Sequence, residues 1–439
     1  MKRLIQHIAA LLALCLMASC GGDREHLLKV YNWGDYIDED LIPEFEEWYE
    51  EQTGEPVKVV YQTFDINETM LSKIEKGHED FDVVCPSDYI IQRMLNDGLL
   101  LPINKDFGDT PNYIDANVSP YIKGVFEGIA DGGIDANDYS VGYMWGTTGI
   151  LYNAKYVDPA DVETWDVIRN PKYAGKIFIK DAARDVYCPI NIFLHRNDIE
   201  AGKVTMDELM MDSSDESLEA FEAYMAQVKP LVAGWEADFG KEQMTQERGW
   251  LNFTWSGDAV WAMMEAKDLG VDLRYSVPKE GSNVWFDGWV IPKYARNIKA
   301  ASYFINFLCI PENAIRNMDF IGYVSTVASE EVMEAMSDDD LEETVDVRYL
   351  FGDIEGAEEA HLDPTMYPDA SVIERCVMMR DWGDDTPKLI SAWSRVKGSN
   401  ANAMTMIVIG VFFALLLVLG IRKKFFGKSR RRRRYRRKK

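Results

Sequence analysis

Short apolar runs alternate with segments of helical period from the start of the chain's polar body, and this alternation restricts the architecture more than any other feature. Residues 28–33 read as a strand, after which Leu41, Ile42, Phe45, Trp48 and Tyr49 recur at helical spacing up to Gly54, a helix stop. A strand at 57–61, a helix at 68–74, a strand at 81–85 and a helix at 89–95 ended by Gly98 continue the pattern. This βαβαβ order builds a mostly parallel sheet covered by helices. A second such region starts near Tyr139, with extended runs at 139–145, 149–153 and 176–180, a helix at 218–228, and strands at 251–255, 273–277 and 285–291. The chain has no internal repeat, and the acidic patch 337–343 reads as a solvated loop or helix start.

Charge divides the chain into three parts. The whole sequence carries −26, but thirteen basic residues lie between Arg422 and Lys439, and Lys2 and Arg3 stand at the other end. The middle therefore holds 32 positive against 73 negative charges, a net of −41. Such a body repels nucleic acid and attracts cations.

Residues 1–19 open on Lys2 and Arg3, pass through an apolar run at 8–17 and close on Ala18 and Ser19, as secretory signal peptides do. The stretch 17–21 matches a bacterial lipobox, which makes Cys20 the expected lipidated residue. The run 403–421 has 19 residues without a charge. At about 1.5 Å per residue it spans roughly 28 Å, so it reads as a transmembrane helix. The positive-inside rule then makes 422–439 a basic cytoplasmic tail, for which retention of topology is the simplest role and a grip on anionic lipid a second one. The expected product is an acidic ectodomain, in the periplasm or outside the cell, held to the bacterial membrane by two anchors.

Catalysis finds little support. His26, His78, His195 and His361 are the histidines after the leader, none in a metal spacing, and no nucleophile-elbow or phosphate-loop pattern occurs. No cofactor is expected. Cys85, Cys188, Cys309 and Cys376 are far apart in sequence, and either disulfides or plain burial fits them.

Open α/β sheets bind ligands beyond the carboxyl ends of their strands. At those ends an aromatic residue and a carboxylate recur together: Trp33 with Asp35 and Tyr36, Ser87 with Tyr89, Asp185 after the 176–180 strand, Trp255 with Asp258, and Trp285 with Asp287. One such pair means little, whereas repetition at equivalent positions points to a site. Flat rings bind organic cations at about 0.5–2 kcal/mol each. Charge-assisted hydrogen bonds add about 1.5–3 kcal/mol.

The run from Val30 to Tyr36 (Val-Tyr-Asn-Trp-Gly-Asp-Tyr) resembles the opening of the bacterial polyamine-binding proteins, the periplasmic components of spermidine and putrescine ABC importers. Further similarities follow in order at 67–70, 81–89, 143–150, 183–185, 255–258, 278–281, 285–287, 321–323 and 367–370. The resemblance implies an α/β, two-lobed periplasmic-binding-protein fold of type II-like form. Lobe I would take 26–138 plus 286–327, and lobe II 139–285 plus 328–395. It also implies a linear polyamine in the cleft, delivered to ABC permease subunits. Trp33, Tyr36, Tyr89, Trp255, Trp285 and Tyr323 would box the methylene chain. Asp35, Asp185, Asp258 and Asp287 would meet the ammoniums, Asp287 foremost, and Ser87 would add a hydroxyl.

Two positions depart from the spermidine-type pattern. Ala182 stands where an acid is expected, with Asp181 one residue earlier, and Met379 replaces a glutamine. Both changes weaken the case for the longer triamine and leave the choice between putrescine and spermidine open. A membrane-held polyamine sensor is the alternative function, and the same fold with a cationic amino acid or a sugar is a third.

Overall fold

The computed structural model describes residues 24–130 and 132–398. The leading half is the expected succession: β1 (Leu27–Trp33), α1 (Leu41–Thr53), β2 (Lys58–Phe64), α2 (Asn67–Glu75), β3 (Val83–Val84), α3 (Asp88–Asn96) and β4 (Leu100–Leu101). Gly54 ends α1 in the left-handed conformation at φ 71°, where a side chain is costly. On the other side of α1, Leu41, Phe45 and Tyr49 form the buried stripe that its spacing predicts. Phe45 meets Phe304 and Phe307 at ring distances of 5.1 and 5.5 Å. Burying each such side chain contributes about 1.5–3 kcal/mol.

The elements that follow and matter for the site are β5 (Ser140–Asn153), β6 (Ile177–Lys180), α4 (Ala183–Glu200), β7 (Val232–Glu236), α5 (Gly240–Thr245), β8 (Leu251–Trp255), α6 (Ser256–Leu269), β9 (Leu273–Ser276), β10 (Ser282–Pro292), α7 (Pro311–Ile321), β11 (Val324–Ser325) and β12 (Cys376–Met378). The sheet runs β2-β1-β3-β10-β5-β8-β6-β7. β1 lies parallel to β2 and β3 at one end, and β6 parallel to β7 and β8 at the other. Between them β5 and β10 run antiparallel, with all 14 and all 11 of their residues buried. These two strands belong to both halves, and the molecule has the two-lobed α/β periplasmic-binding fold.

Two separate extended runs were expected at 139–145 and 149–153, but β5 is continuous. Its glycines are close-packing positions and do not break the strand. A Cβ on Gly146 would lie 2.7 Å from Trp285 Cζ2 and would overlap Ser256 Oγ. The acidic patch 337–343 is loop. Cys85, Cys188, Cys309 and Cys376 are all unpaired; plain burial describes the first three, and Cys376 is half-buried.

One part of the expected fold class requires correction. Among the described residues no helix is long and apolar enough to cross a membrane. α4 has 18 residues but carries Arg184, Asp185, Arg196, Asp198 and Glu200. The last described helix, Thr386–Lys397, has 12 residues. At about 1.5 Å per residue that is roughly 18 Å, against about 30 Å of hydrocarbon. The run 403–421, the tail 422–439, the leader 1–19 and Cys20 lie outside the described residues.

Candidate functional site

Asp287 is the centre of the arrangement. It lies on β10 where the pairing with β5 shifts register, Asp287 facing Met144 and Gly288 facing Gly142. Such an irregularity twists a strand locally and re-aims the side chains beside it. The carboxylate is 6% exposed. Its Oδ2 accepts a 2.8 Å hydrogen bond from Tyr36 Oη, and its Oδ1 has no hydrogen-bond partner. Burial pushes its pKa up to about 6, opposed by the neighbouring Ser87 and Tyr36 hydroxyls and reinforced by the charge of Asp185.

From Asp287 a chain of contacts runs across the molecule. The Tyr36 ring meets Tyr323 edge-on at 5.3 Å, and Tyr323 lies 5.5 Å from Trp285. Tyr323 Oη donates to Asp258 Oδ1 at 2.9 Å. Asp258 heads α6, one residue after Gly257, where any Cβ would overlap the Tyr323 ring. Gly257→Ala is accordingly expected to displace that ring and to cost about 1–3 kcal/mol in urea unfolding. An unchanged midpoint would show that the ring has room to yield.

Asp258 is not a free anion. Its Oδ2 lies 2.5 Å from Lys180 Nζ, and Lys241 Nζ is 3.9 Å from Oδ1. Burial alone would raise its carboxyl, but the two lysines and the Tyr323 hydroxyl outweigh it and hold the pKa below the ordinary range. Lys180 also faces Glu236 at 3.3 Å and stands over the Trp255 ring, 4.4 Å from its centroid. Trp255 Nε1 in turn donates to Asp185 Oδ1 at 2.9 Å. Asp185 is only half-buried by exposure, yet protein surrounds its carboxyl closely enough to push the pKa up to about 6.

On the β3 side, Ser87 and Tyr89 are joined through Asn67 Nδ2, which donates to both hydroxyls at 3.0 and 3.1 Å. Tyr89 Oη donates to Glu68 Oε1 at 3.4 Å, and the Arg184 guanidinium stacks 4.4 Å over its ring. Ser87 forms a β-bridge with Asp287. Of the eleven residues singled out in sequence, Tyr36, Ser87, Tyr89, Asp185, Trp255, Asp258, Trp285, Asp287 and Tyr323 are thus drawn into one cluster. It lies between the β1–β3 half of the sheet and the β6–β8 half.

The other two stand apart. Trp33, at the carboxyl end of β1, packs on Phe64 at 4.5 Å, and its Nε1 is buried without a partner. Asp35 is exposed, in the left-handed conformation at φ 51°. Sequence reasoning missed Lys180, Lys241 and Glu236, whose burial no local pattern signals. It also missed Glu68 and Asp88, although both lie in the quoted motifs. Asp88 is buried and accepts the backbone N–H of Phe286 at 3.3 Å, and burial drives its pKa well above the usual carboxylate range.

Rings edged by carboxylates, with a partnerless buried oxygen among them, suit recognition of an organic cation. Comparison with known proteins agrees. The spermidine/putrescine-binding periplasmic protein of Escherichia coli (strain K12) is 28% identical over 391 residues, covering 87% of this chain and 95% of that protein. The putrescine-binding periplasmic protein PotF of the same strain is 29% identical over 335 residues, covering 72% and 83%. Among solved structures, the spermidine/putrescine ABC transporter substrate-binding protein PotD of Streptococcus pneumoniae matches with a TM-score of 0.61 at 30% identity, covering 85% of this chain and 98% of that one. The model described as bacterial extracellular solute-binding protein matches residues 44–343, most of the chain and all of the cluster from Ser87 to Tyr323. Its members are binding proteins and not enzymes, and it is to the bacterial extracellular solute-binding proteins that this chain belongs.

Proposed function

We propose that the chain captures a polyamine, putrescine or spermidine, outside the cytoplasm and hands it to an ABC permease. Asp287 carries the reading. A buried carboxylate with one oxygen held by Tyr36 and the other without a partner needs N–H donors and positive charge together, and a protonated amine supplies both. Trp285 and Tyr323 alongside it offer apolar faces to a methylene chain. In this reading Asp185 meets a second ammonium, Tyr36, Tyr89 and Trp255 complete the box, Ser87 positions the Asp287 end, and Asp258 acts through its pairing with Lys180, while Trp33 and Asp35, outside the cluster, take no direct part. The names of the relatives support the ligand class and the ABC partner. The leader-like run 1–19 and Cys20 support export and an N-terminal lipid tether. The −41 body steers dications inward, most effectively at low salt. The sensing alternative drew on the run 403–421 alone, and no described residue supports it.

Isothermal titration of the purified protein with putrescine and spermidine is expected to give saturable binding of at least one amine at pH 7.5. Affinity should fall at least tenfold by pH 5, because Asp287 and Asp185 take up protons near pH 6 and can then no longer pair with an ammonium. No heat with either amine, or binding that tightens on acidification, would sink the proposal.

A further inference from the structure

The Trp255 end of the cluster already holds a cation, and it belongs to the protein. The side chain of Lys180, the last residue of β6, is 1% exposed. Its Nζ has Asp258 Oδ2 at 2.5 Å, Glu236 Oε1 at 3.3 Å, the Ala237 carbonyl at 2.8 Å and the face of Trp255 at 4.4 Å. A ring on one side and carboxylates on the other are what an alkylammonium requires on leaving water. The lysine side chain, methylenes ending in an ammonium, is also chemically an aminobutyl arm.

We infer that Lys180 occupies the place that the third ammonium of a triamine would need, and so restricts the guest to a diamine. The inference rests on the polyamine reading above and deepens it. The other acids of the cluster agree with it. Asp287 keeps a partnerless oxygen, and the carboxyl of Asp185 is met by a neutral indole N–H, so both can take an ammonium. At the Lys180 end nothing remains to pair a third. Asp258 Oδ1 is taken by Tyr323 with Lys241 nearby, and Glu236 Oε2 accepts the Gly240 N–H at 3.0 Å. A triamine reaching this end would meet two lysine charges instead of a free carboxylate, and an uncompensated charge there is costly.

The test compares putrescine with spermidine by calorimetry on the full-length protein and on K180M/E236Q. That pair of changes removes one positive and one negative charge and frees Asp258 Oδ2 for a guest ammonium, with Lys241 and the Tyr323 hydroxyl still beside Oδ1 to hold the carboxylate in the empty protein. The wild type is expected to bind putrescine at least tenfold more tightly than spermidine. The double variant is expected to bring that ratio to one or below, with a single cooperative melting transition. Loss of packing alone would weaken both amines together and leave the ratio unchanged. A wild type that holds spermidine as tightly as putrescine overturns the inference, as does an unchanged ratio in the folded double variant. Should the double variant not fold, the wild-type ratio alone decides. Binding of neither amine by the wild type overturns the polyamine reading itself, a separate failure.

Discussion

Asp287→Asn is expected to reduce polyamine affinity at least a hundredfold while making the ligand-free protein more stable at pH 7.5. The first effect follows from removing a charge-assisted hydrogen bond worth about 1.5–3 kcal/mol together with the charge itself. The second follows from the pKa. Burial lifts the carboxyl to about 6 in the folded chain from its ordinary value of 3.8. Between those two values the folded state holds more protons than the unfolded one, so stability falls as pH rises through the window and stays lowered above it. Two units correspond to roughly 3 kcal/mol, which the neutral amide would restore. Urea unfolding at pH 7.5 and at pH 4 separates the contributions, since the gain should shrink toward the acid side. A variant that still binds within threefold of the wild type, or that unfolds more easily at pH 7.5, would remove Asp287 from its assigned place.

Asp258→Ala is expected to do the reverse. It strips the nearest counter-ion from Lys180, which is buried and left with Glu236 alone, and breaking a buried pair on one side costs about 3–5 kcal/mol. The pH dependence also has the opposite sign. The folded pKa of Asp258 lies below its ordinary value, so its contribution is present above that value and is lost as pH falls through the lowered one. Denaturant midpoints measured from pH 7 down to the acid limit would show the wild type losing this contribution and the variant lacking it throughout. A loss smaller than about 1 kcal/mol at pH 7 would mean that the cluster relaxes around the gap. Two aspartates of one cluster thus have opposite roles, one costing the fold stability and the other supporting it.

The contrast shows where sequence reading succeeds and where it stops. Trp285 and Asp287 were legible through their Trp-x-Asp setting, which resembles the polyamine-binding proteins; the strand-end rule alone would have missed them, since they lie in the middle of β10 and not at its carboxyl end. Tyr36, Ser87, Tyr89 and Asp185 were found in the same way. Asp258 was expected to supply charge to a ligand, and the structure draws it into the same cluster but meets that charge with Lys180. Its partner Lys180 lies 78 positions earlier at the end of another strand, and a lysine after Ile-Phe-Ile gives no local sign of burial. The fold class was readable from the alternation of runs, whereas the unity of β5 was not, because Gly146 in isolation resembles a breaker. Only the Trp285 ring packed against it shows why a side chain is excluded there.

The register shift in β10 falls between Asp287 and Gly288, on a strand whose neighbours include β3 on one side and β5 on the other. An ammonium held by Asp287, as proposed, would therefore pull directly on a girder common to both halves of the sheet. Were those halves to move on guest capture, binding and motion would share one mechanical element, and no relay of intervening side chains would be required to couple them.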